Sequence, residues 1–502
     1  MWLMGIDMGT SGSKAVVFDE KFNVRAQAYR EYQLHFPGEG LLELNAEVVW
    51  ENIREVIREA NSLSEENVGA VAVSAIGDVI IPVDENGDSV RYSIVDFDPR
   101  GGEEIASFVE NFGLDRFFNL NGMPPLYIGS LSKILYLKEK EPEIFAKTKR
   151  FSSYEDFIVC KMGLPPVASY SELSRTMLFD IRKKDWSDEI LEAIPLTRDQ
   201  LPKPAPSGSV IGELSEEVRK DLGFKGPVKV MTGGHDMVCA AVGAGLDEKN
   251  PATAVDIAGT IEGIVAALPE ANTCKEMLDN LFSCYNGYTG YVTFSVNLTA
   301  GCILRWYRNF IAPDEYKECK ENGTNFFKHM QRKVDPNEPG KLILVPHFSG
   351  SGNPFFDPNA LGIIYGLTLD TDRGDIARAI VEGLAYDLRL HLDAQKRAGI
   401  HIDTIRAVGG GATNDTELQL KANITGLKVV KGAVSESSAM GAASYAAIGV
   451  GQISNPAEAY QMVKEKEKVF LPDPEAHERF EKTFDTFRKL AYSVHDIESN
   501  QY

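Results

Sequence analysis

The sequence predicts an α/β protein built from two domains of duplicated topology. Strand-like and helix-like segments alternate in both halves of the chain. A pattern of strand, Gly-Thr turn and strand occurs at residues 5–19 and again at 253–267. The length of 502 residues exceeds what one hydrophobic core usually organises. We therefore expect an N-terminal domain over residues 1–248 and a C-terminal domain over residues 249–502.

The first hairpin carries residues that suit an anion. Asp7 closes its first strand and Lys14 opens the second, and the turn between them holds glycines together with Thr10, Ser11 and Ser13. Glycines let backbone N–H groups approach a ligand closely, and hydroxyls add donors. The neighbouring carboxylate suits the hard cation that accompanies nucleotide phosphates. A plain hairpin turn explains the glycines, but it needs neither the acid nor the hydroxyls.

The second hairpin places Gly259 and Thr260 in its turn. Taken alone, this segment is equally well explained as a tight turn. As the partner of the first hairpin, it predicts a phosphate-binding turn in each half of the chain. The proline-rich stretch at 202–208 offers another domain boundary, but the repeated hairpin restarts the topology, so we place the boundary near 245–252.

Helical periodicity and glycine-rich turns indicate further helices and strands. Residues 45–60 form an amphipathic helix with an asparagine N-cap, and residues 373–398 form the clearest helix of the chain. A strand at 228–232 leads through Gly-Gly into a helix near His235, and a small-residue helix is expected at 437–449. Alternation of these helices with strands predicts α/β layering.

Asp236 stands where the Gly-Gly turn meets a helix, in Gly-Gly-His-Asp at 233–236. An acid at this place is commonly an N-cap or a partner of the helix dipole. The glycines also clear space beside the carboxylate for a substrate, and an aspartate can take the proton from a sugar hydroxyl that attacks phosphorus. The motif alone leaves both interpretations open.

A run of three glycines at 409–411 follows a strand and opens a helix. It would let a flat ring or a ribose lie against bare backbone, and Asn414 can cap the helix or bond the nucleotide. A tight strand–helix turn explains the run equally well. Gly301 begins another helix and is compatible with the same ligand. The sequence lacks the P-loop, Rossmann, zinc-protease and nucleophile-elbow motifs, so phosphoryl transfer needs an architecture without a P-loop.

The composition excludes several classes of partner. Fifty-two basic residues against 73 acidic ones give a net charge of −21, which argues against nucleic acid and against an anionic membrane surface. Six cysteines form no Cys-x-x-Cys pair and the chain enters a strand at once, so we expect reduced thiols and a cytoplasmic location. No apolar stretch approaches membrane-spanning length.

In their order and spacing, these motifs resemble those of the FGGY carbohydrate kinases, members of the actin-like ATPase superfamily. The resemblance covers nearly the whole chain. It implies two actin-like (ribonuclease H-like) domains that flank a deep interdomain cleft, ATP and Mg²⁺ as cofactors, and a small sugar or polyol as substrate. The motifs that carry it are residues 5–14, 233–236, 348–354, 361–383, 409–414 and 436–443.

The same resemblance implies roles for individual residues. Asp7 would organise Mg²⁺ through water, and Asp236 would act as the general base. Thr10, Ser11, Lys14 and Thr260 would meet phosphate. The full set implied to hold ATP is Thr10, Ser11, Lys14, Gly259, Thr260, Gly301, Arg305, Gly410, Gly411 and Asn414.

The sugar pocket departs from the family pattern. Members often carry Gln-Met-His-Gly or Gln-Arg-Glu after one strand of the first domain, where this chain has Ala-Ile-Gly-Asp and so places Asp78. Asp96 replaces a familiar tryptophan, with Arg100 close behind it, and His235 adjoins the implied base. Two extra acids favour a hydroxyl-rich neutral substrate over a sugar acid, unless Arg100 compensates. Tyr127 lies one position from a substrate tyrosine of the family.

We therefore favour an ATP-dependent kinase that phosphorylates a hydroxyl of a small sugar or polyol, with a ketose preferred. One alternative is an actin-like ATPase switch that acts on a protein partner, which would not require Asp236 beside an acid-lined pocket. Another is a sugar-binding regulator that has lost catalysis, which should lack Asp7 or Asp236. A homodimer is left open.

Overall fold

Two β-sheets form the framework of the computed structural model, which describes residues 1–499. The first sheet takes its six strands from the N-terminal half, in the spatial order β5-β6-β4-β1-β2-β3. These strands are β1 (Trp2–Met8), β2 (Gly12–Phe18), β3 (Val24–Glu31), β4 (Val68–Ala75), β5 (Val210–Glu213) and β6 (Lys229–His235).

The second sheet takes its seven strands from the C-terminal half, in the order β9-β10-β8-β7-β11-β12-β13. These strands are β7 (Thr253–Ala258), β8 (Glu262–Leu268), β9 (Tyr285–Asn286), β10 (Tyr291–Asn297), β11 (Thr404–Gly409), β12 (Lys428–Lys431) and β13 (Lys468–Phe470).

The two sheets repeat one topology. Read from β3 to β5, neighbouring strands of the first sheet are antiparallel, antiparallel, parallel, parallel and antiparallel. Read from β10 to β13, the second sheet gives the same series. Strand β9 is an addition at one edge. The predicted α/β class and the predicted duplication are thereby confirmed.

The parallel strands bring the candidate residues to one edge of each sheet. In the first sheet Met8, Ala75 and His235 lie side by side at the carboxyl ends of β1, β4 and β6. In the second sheet Ala258 pairs with Gly409 at the ends of β7 and β11. Ligands of open α/β sheets bind beyond the carboxyl ends of such strands, so these edges are where a site is expected.

Six helices position the site. They are α1 (Ala46–Leu63), α2 (Asp236–Gly243), α3 (Gly301–Trp306), α4 (Arg373–Arg397), α5 (Asp415–Thr425) and α6 (Ser437–Gly449). Asn45 caps α1 as expected, because its side chain accepts the backbone N–H groups of residues 47 and 48. The helix predicted to begin at Gly301 is confirmed as α3, and a π-helical turn at Tyr307–Ile311 follows it.

The remaining elements are short or lie at the periphery. Within residues 1–499 we find no helix with the length and apolar character needed to cross a membrane. The other helices are Gly102–Phe112, Leu114–Asn121, Ser130–Lys140, Pro142–Lys147, Tyr154–Lys161, Tyr170–Leu173, Asp188–Glu192, Glu216–Asp221, Lys275–Asp279, Pro313–Glu321, Phe326–Met330, Pro456–Gln461 and Pro474–Ser499. Short strands pair as Glu43–Leu44 with Ser93–Ile94, Ile81–Val83 with Arg150–Ser152, Val167–Ser169 with Lys203–Ala205, Phe179–Asp180 with Asp185–Trp186, and Ile343–Val345 with Ile363–Tyr365.

Helix α6 belongs to the C-terminal half of the chain but packs against β1, β4 and β6 of the first sheet, and against α2. Its small residues permit a very close approach. A Cβ atom at Gly5 would lie 1.8 Å from the carbonyl oxygen of Ala439, and one at Gly441 would lie 1.9 Å from that of Cys239. The two halves therefore share a hydrophobic core. The domain boundary at 248/249 lies between α2 and β7, and it stays a prediction.

The Gly-Gly pair before Asp236 does not form the turn that the sequence predicts. Gly233 and Gly234 are not a turn but the end of strand β6, where the pairing with β4 shifts register. A Cβ atom at Gly233 would lie 1.8 Å from the carbonyl oxygen of Val73. The glycine is thus required by close packing of two strands, and the expectation that it clears space for a substrate is wrong.

Candidate functional site

Asp7 lies at the edge of the first sheet where its parallel strands end. Ser74 on β4 is its register partner, and the Ser74 hydroxyl donates to Asp7 Oδ1 at 3.3 Å. Burial raises the pKa of Asp7 to about 6, against the opposing effects of the Ser74 hydrogen bond and the Lys14 charge. The negative charge of Glu436 raises this pKa further. Asp7 is therefore a carboxylate with little compensating positive charge.

Asp236 is the first residue of α2, at the same edge of the sheet. Its Oδ1 accepts the backbone N–H of Met237 at 2.6 Å, and its side chain is 28% exposed, so a ligand can reach it. Burial raises the pKa of Asp236 to about 8, and the negative charges of Asp7, Asp96 and Asp78 add to this effect. Asp236 therefore lies within electrostatic reach of the three other candidate acids.

His235 contacts the Asp236 carboxylate from the buried side. Its Nε2 lies 3.2 Å from Asp236 Oδ1, and its Nδ1 lies 3.4 Å from the hydroxyl of Tyr285. Burial, followed by the charge of Arg175, lowers the pKa of His235 well below its ordinary value. The ring is therefore neutral and lies against the Asp236 carboxylate, while a direct contact of His235 with substrate stays a prediction.

Asp78 is paired with a buried cation that the sequence did not reveal. Arg175 donates from Nε and Nη2 to Asp78 Oδ2 at 3.1 and 2.6 Å, and it is 1% exposed. Its guanidinium lies 5.0 and 4.8 Å from the ring centres of Tyr285 and Phe294. Burial still raises the pKa of Asp78. Its Oδ1 is buried and has no hydrogen-bond partner within residues 1–499.

Asp96 lies beside Asp78 and leaves a second oxygen unpaired. Across the described part of the chain, no hydrogen-bond partner reaches the buried Oδ1 of Asp96. Burial raises the pKa of Asp96 to about 7, and the negative charge of Asp78 adds to this rise. Tyr127 lies within reach of the Asp96 charge, which together with burial raises the tyrosine pKa. A substrate contact of Tyr127 stays a prediction.

The predicted substrate contact of Arg100 is corrected by the structure. Its Nε and Nη2 donate to the two oxygens of Asp98 at 2.9 and 2.7 Å, and its Nη1 donates to Glu43 Oε1 at 2.9 Å. All three guanidinium nitrogens are thus engaged by carboxylates in a largely buried ion-pair group. Arg100 has a structural role, and it does not compensate the acids of the pocket.

The first hairpin turn lies between β1 and β2. Ser11 is exposed and Thr10 is half-buried, and the turn is closed by the Gly9 N–H, which donates to the carbonyl of Gly12 at 3.0 Å. Lys14 does not stand free beside it, because its Nζ donates to Glu436 Oε2 at 2.6 Å. Since Glu436 immediately precedes α6, this ion pair joins the hairpin to the C-terminal half of the chain.

The second hairpin turn is tied to the start of α3. The Gly259 N–H donates to the carbonyl of Ile261 at 2.8 Å, and the Gly301 N–H donates to the carbonyl of Gly259 at 3.0 Å. A Cβ atom at Gly301 would lie 2.5 Å from that carbonyl oxygen, so glycine is required there. Arg305 donates from Nη2 to Thr260 Oγ1 at 3.4 Å. These contacts join the turn directly to the start of α3.

A cavity of about 910 Å³ opens at the edge of the second sheet. Six of the ten residues predicted to hold ATP line it, whereas Thr10, Ser11, Lys14 and Thr260 lie outside its lining. A Cβ atom at Gly410 would meet no atom within 4 Å, so bare backbone faces open space there. The six lining residues are Gly259, Gly301, Arg305, Gly410, Gly411 and Asn414.

Three buried residues near the site, Glu155, Lys133 and Arg175, were not predicted from the sequence. Glu155 is buried and accepts the Gly233 N–H at 2.7 Å, so it supports strand β6, which leads directly into Asp236. Lys133 is also buried and donates to the backbone carbonyls of Asp98 and Arg100. In the segment Ser-Lys-Ile-Leu at 132–135, a single lysine beside apolar residues could have indicated a buried cation. Arg175 and Glu155 offered none, because their partners are distant in sequence.

Asp7 is the described residue best suited to a metal ion. Within residues 1–499 no group of three or more histidine, cysteine or acidic side chains is arranged to hold one. Mg²⁺ is commonly bound through one or two carboxylates, with phosphate oxygens and water completing its shell. Asp7 is a half-buried carboxylate with little compensating positive charge, beside the turn between β1 and β2, and it therefore fits this ion.

Comparison with known proteins agrees with this arrangement. The model of the FGGY family of carbohydrate kinases, N-terminal domain, matches residues 2–243, and the model of the C-terminal domain matches residues 258–450. A xylulose kinase from Bacillus subtilis (strain 168) is 27% identical over 499 residues, covering 99% of this chain and 98% of its own. A glycerol kinase from Thermococcus kodakarensis is 29% identical over 498 residues, covering 96% and 95%.

Solved structures share the fold. The crystal structure of a gluconate kinase from Lactobacillus acidophilus matches with a TM-score of 0.87 at 21% identity, covering 98% of both chains. At this level of identity the match establishes the architecture of two domains and does not specify a substrate.

Proposed function

Because the chain belongs to the FGGY family of carbohydrate kinases, we propose that it transfers the γ-phosphoryl group of ATP to a hydroxyl of a neutral ketose or polyol. In this proposal the substrate occupies the pocket formed by Asp78, Asp96 and Asp236. The nucleotide occupies the cavity at the edge of the second sheet, with its phosphates directed toward Asp7.

The unpaired oxygens of Asp78 and Asp96 are the observation that supports this substrate class. A buried acceptor without a donor is costly, and carboxylate oxygens are satisfied well by hydroxyl groups. A polyhydroxy compound supplies such donors. A sugar acid would instead add a negative charge to a pocket whose two nearby cations, Arg175 and Lys133, are already engaged.

Asp236 is proposed as the general base. As the substrate oxygen attacks the γ-phosphorus, the hydroxyl proton passes to the Asp236 carboxylate. The bond between the γ-phosphorus and the oxygen that bridges it to the β-phosphorus breaks, and ADP leaves. A base acts best when its pKa lies near the working pH, and a pKa of about 8 meets that condition. His235 holds the carboxylate in place during the transfer.

The phosphate contacts are proposed to come from the two hairpin turns. Thr10, Ser11 and Lys14 would meet the transferred group, for which Lys14 must exchange Glu436 for phosphate, and Gly259 and Thr260 would meet the phosphates from the other half. Asp7 would hold Mg²⁺, and a bound Mg²⁺ neutralises charge on the β- and γ-phosphates. The Asp7 carboxylate would thereby gain the positive charge that the protein alone does not supply.

The test is ADP formation by the purified protein with ATP, Mg²⁺ and a panel of small sugars. Xylulose, ribulose, glycerol and erythritol represent the neutral class, and gluconate represents the sugar acids. We expect turnover with a member of the neutral class and at least tenfold lower kcat/KM with gluconate, on the order of the penalty for one unfavourable buried contact.

Variants of the pocket acids, with a matched control, test whether these acids bind the sugar. Asp78→Asn and Asp96→Asn should raise KM for the sugar, whereas Asp88→Asn, which alters an exposed carboxylate, should leave it unchanged. Preference for gluconate over every neutral compound would contradict the substrate class. ADP release that no sugar stimulates would favour the protein-acting ATPase switch instead, an alternative that the comparisons do not support.

A further inference from the structure

The wall of the nucleotide cavity opposite the glycines is a connected chain of polar side chains. Asn414, Gln331 and Glu417 all line the cavity. The Asn414 amide donates from Nδ2 to Gln331 Oε1, and Gln331 donates from Nε2 to Glu417 Oε2 at 3.0 Å. Asn414 Oδ1 is already used, since it accepts the N–H of Thr416 at 2.9 Å as the cap of α5. Each amide therefore has one orientation that satisfies its neighbours.

A buried lysine lies behind this wall. Lys421 follows Glu417 by one turn of α5 and is 2% exposed. Its Nζ donates to Asp256 Oδ2 at 2.7 Å and to Glu262 Oε1 at 2.6 Å. Asp256 is on β7 and Glu262 is on β8, the two strands that flank the Gly259–Thr260 turn. One ammonium group thus connects the helix that bears Asn414 to both strands of the second hairpin.

The positive charge of Lys421 acts on two neighbouring acids, Glu417 and Glu262. Burial raises the pKa of Glu417 and raises that of Glu262 to about 8, while the positive charge of Lys421 opposes both shifts. An ionised carboxylate only accepts hydrogen bonds, whereas a protonated one also donates. With Lys421 present, Glu417 accepts from Gln331, which leaves Gln331 Oε1 for the Asn414 amide.

We propose that Lys421 is a positioning residue for the nucleotide: it keeps Glu417 as an acceptor and so fixes the Gln331 and Asn414 amides, directing the second N–H of Asn414 to the ligand. This inference rests on the proposed binding of ATP in this cavity. Through Asp256 and Glu262, the same ammonium holds the turn proposed to meet the phosphates. Lys421 touches no substrate itself and acts through its neighbours.

Three variants test the proposal. Glu417→Gln removes the negative charge and replaces one acceptor oxygen by an NH₂ group, so that either the oxygen or the NH₂ group can face Gln331 Nε2 and the amide orientations are no longer fixed. Lys421→Met removes the charge, and Lys421→Arg retains it. Arg406→Met is the matched control, because it breaks an ion pair with Glu467 in the same sheet but outside the cavity lining.

The readouts are the Kd of ADP by calorimetry, KM for ATP and for the sugar, and Tm. We expect Glu417→Gln and Lys421→Met to weaken ADP binding about tenfold, the equivalent of one net hydrogen bond, with the sugar KM unchanged. Lys421→Arg should recover part of the affinity. Arg406→Met should lower Tm and leave the Kd of ADP as in the wild type.

Glu417→Gln keeps the proposal testable even if Lys421→Met fails to fold. A folded Glu417→Gln protein that binds ADP with wild-type affinity would overturn the positioning role and leave the proposed function intact. Equal losses of ADP and sugar affinity in both variants would also overturn it, because that result indicates general loosening. A wild-type protein that binds no ADP would remove the proposed function together with this inference.

Discussion

Two groups of carboxylates, one beside each sheet, differ in how they are neutralised. The substrate-side group is Asp7, Asp78, Asp96 and Asp236, and its strongest ion pair joins Arg175 to a single oxygen of Asp78. The nucleotide-side group is Asp256, Glu262 and Glu417, with Lys421 at its centre. Burial raises carboxyl pKa values in both groups, to about 8 for Asp236 and to about 8 for Glu262. The groups differ in their partners, because Lys421 bonds two acids of the nucleotide-side group at once, whereas Arg175 bonds Asp78 alone in the substrate-side group. In the proposed function, similar side chains would therefore serve chemistry in one half and positioning in the other.

The largest expected effect comes from removing the base of the substrate-side group. Asp236→Asn keeps the shape of the side chain but cannot accept the hydroxyl proton. We expect kcat to fall about 10²–10⁴-fold, the usual contribution of general-base catalysis, while the Kd of ADP stays unchanged. Steady-state kinetics and calorimetry on the same preparation measure both.

Asp88→Asn serves as the control for this change, because Asp88 is an exposed acid paired with Lys161. Its kcat should equal that of the wild type. If Asp236→Asn retained near-normal kcat, the difference in role between the two carboxylate groups would disappear.

A smaller effect is expected from removing the cation of the substrate-side group. Arg175→Met leaves Asp78 buried without its partner, and breaking a buried ion pair in this way costs about 3–5 kcal/mol. Arg116→Met, which breaks an exposed pair with Glu189, should cost about 0–1 kcal/mol. Chemical denaturation of both variants measures the difference, and equal midpoints would show that the Arg175 pair adds no stability.

The sequence sufficed for those parts of the fold and site that depend on local patterns. The two Gly-Thr hairpins have a visible local signature, and their repetition predicted the duplicated sheets that the topology confirms. Asp7 lies near the end of β1 and Asp236 directly follows β6, and the parallel pairing of both strands with β4 places the two acids at one sheet edge. The family was also recognisable from the order of its motifs.

Features that depend on long-range contacts could not be predicted. Asp78 is paired with Arg175, 97 residues away, and Lys421 with Asp256, 165 residues away. Arg100 was wrongly assigned to substrate because nothing local shows that Asp98 and Glu43 occupy its guanidinium. The packing of α6 on the first sheet was missed for the same reason, since a small-residue helix fits many surfaces. The cytoplasmic location stays a prediction.

The smallest expected effect concerns the pH dependence of the substrate-side group. Burial and the negative charges of Asp7 and Asp96 raise the pKa of Asp236 to about 8, and the base acts only after losing this proton. The kcat/KM for the sugar should therefore rise with pH through about 8 in the free enzyme. Asp96→Asn removes one repelling charge, lowers the pKa of Asp236 and moves this rise to lower pH, whereas Asp88→Asn should not move it. The raised pKa of Asp236 also makes the stability of the fold fall as pH rises, whereas it makes kcat/KM rise. A raised carboxyl pKa means that the protonated form stabilises the fold; this contribution is complete below the ordinary pKa of 3.8 and is lost progressively as pH rises to about 8, so Asp236→Asn should gain Tm over the wild type most strongly in alkaline buffer. A rise that moved to higher pH in Asp96→Asn would show that Asp96 does not repel the base, and the comparison between the two groups would then rest on burial alone.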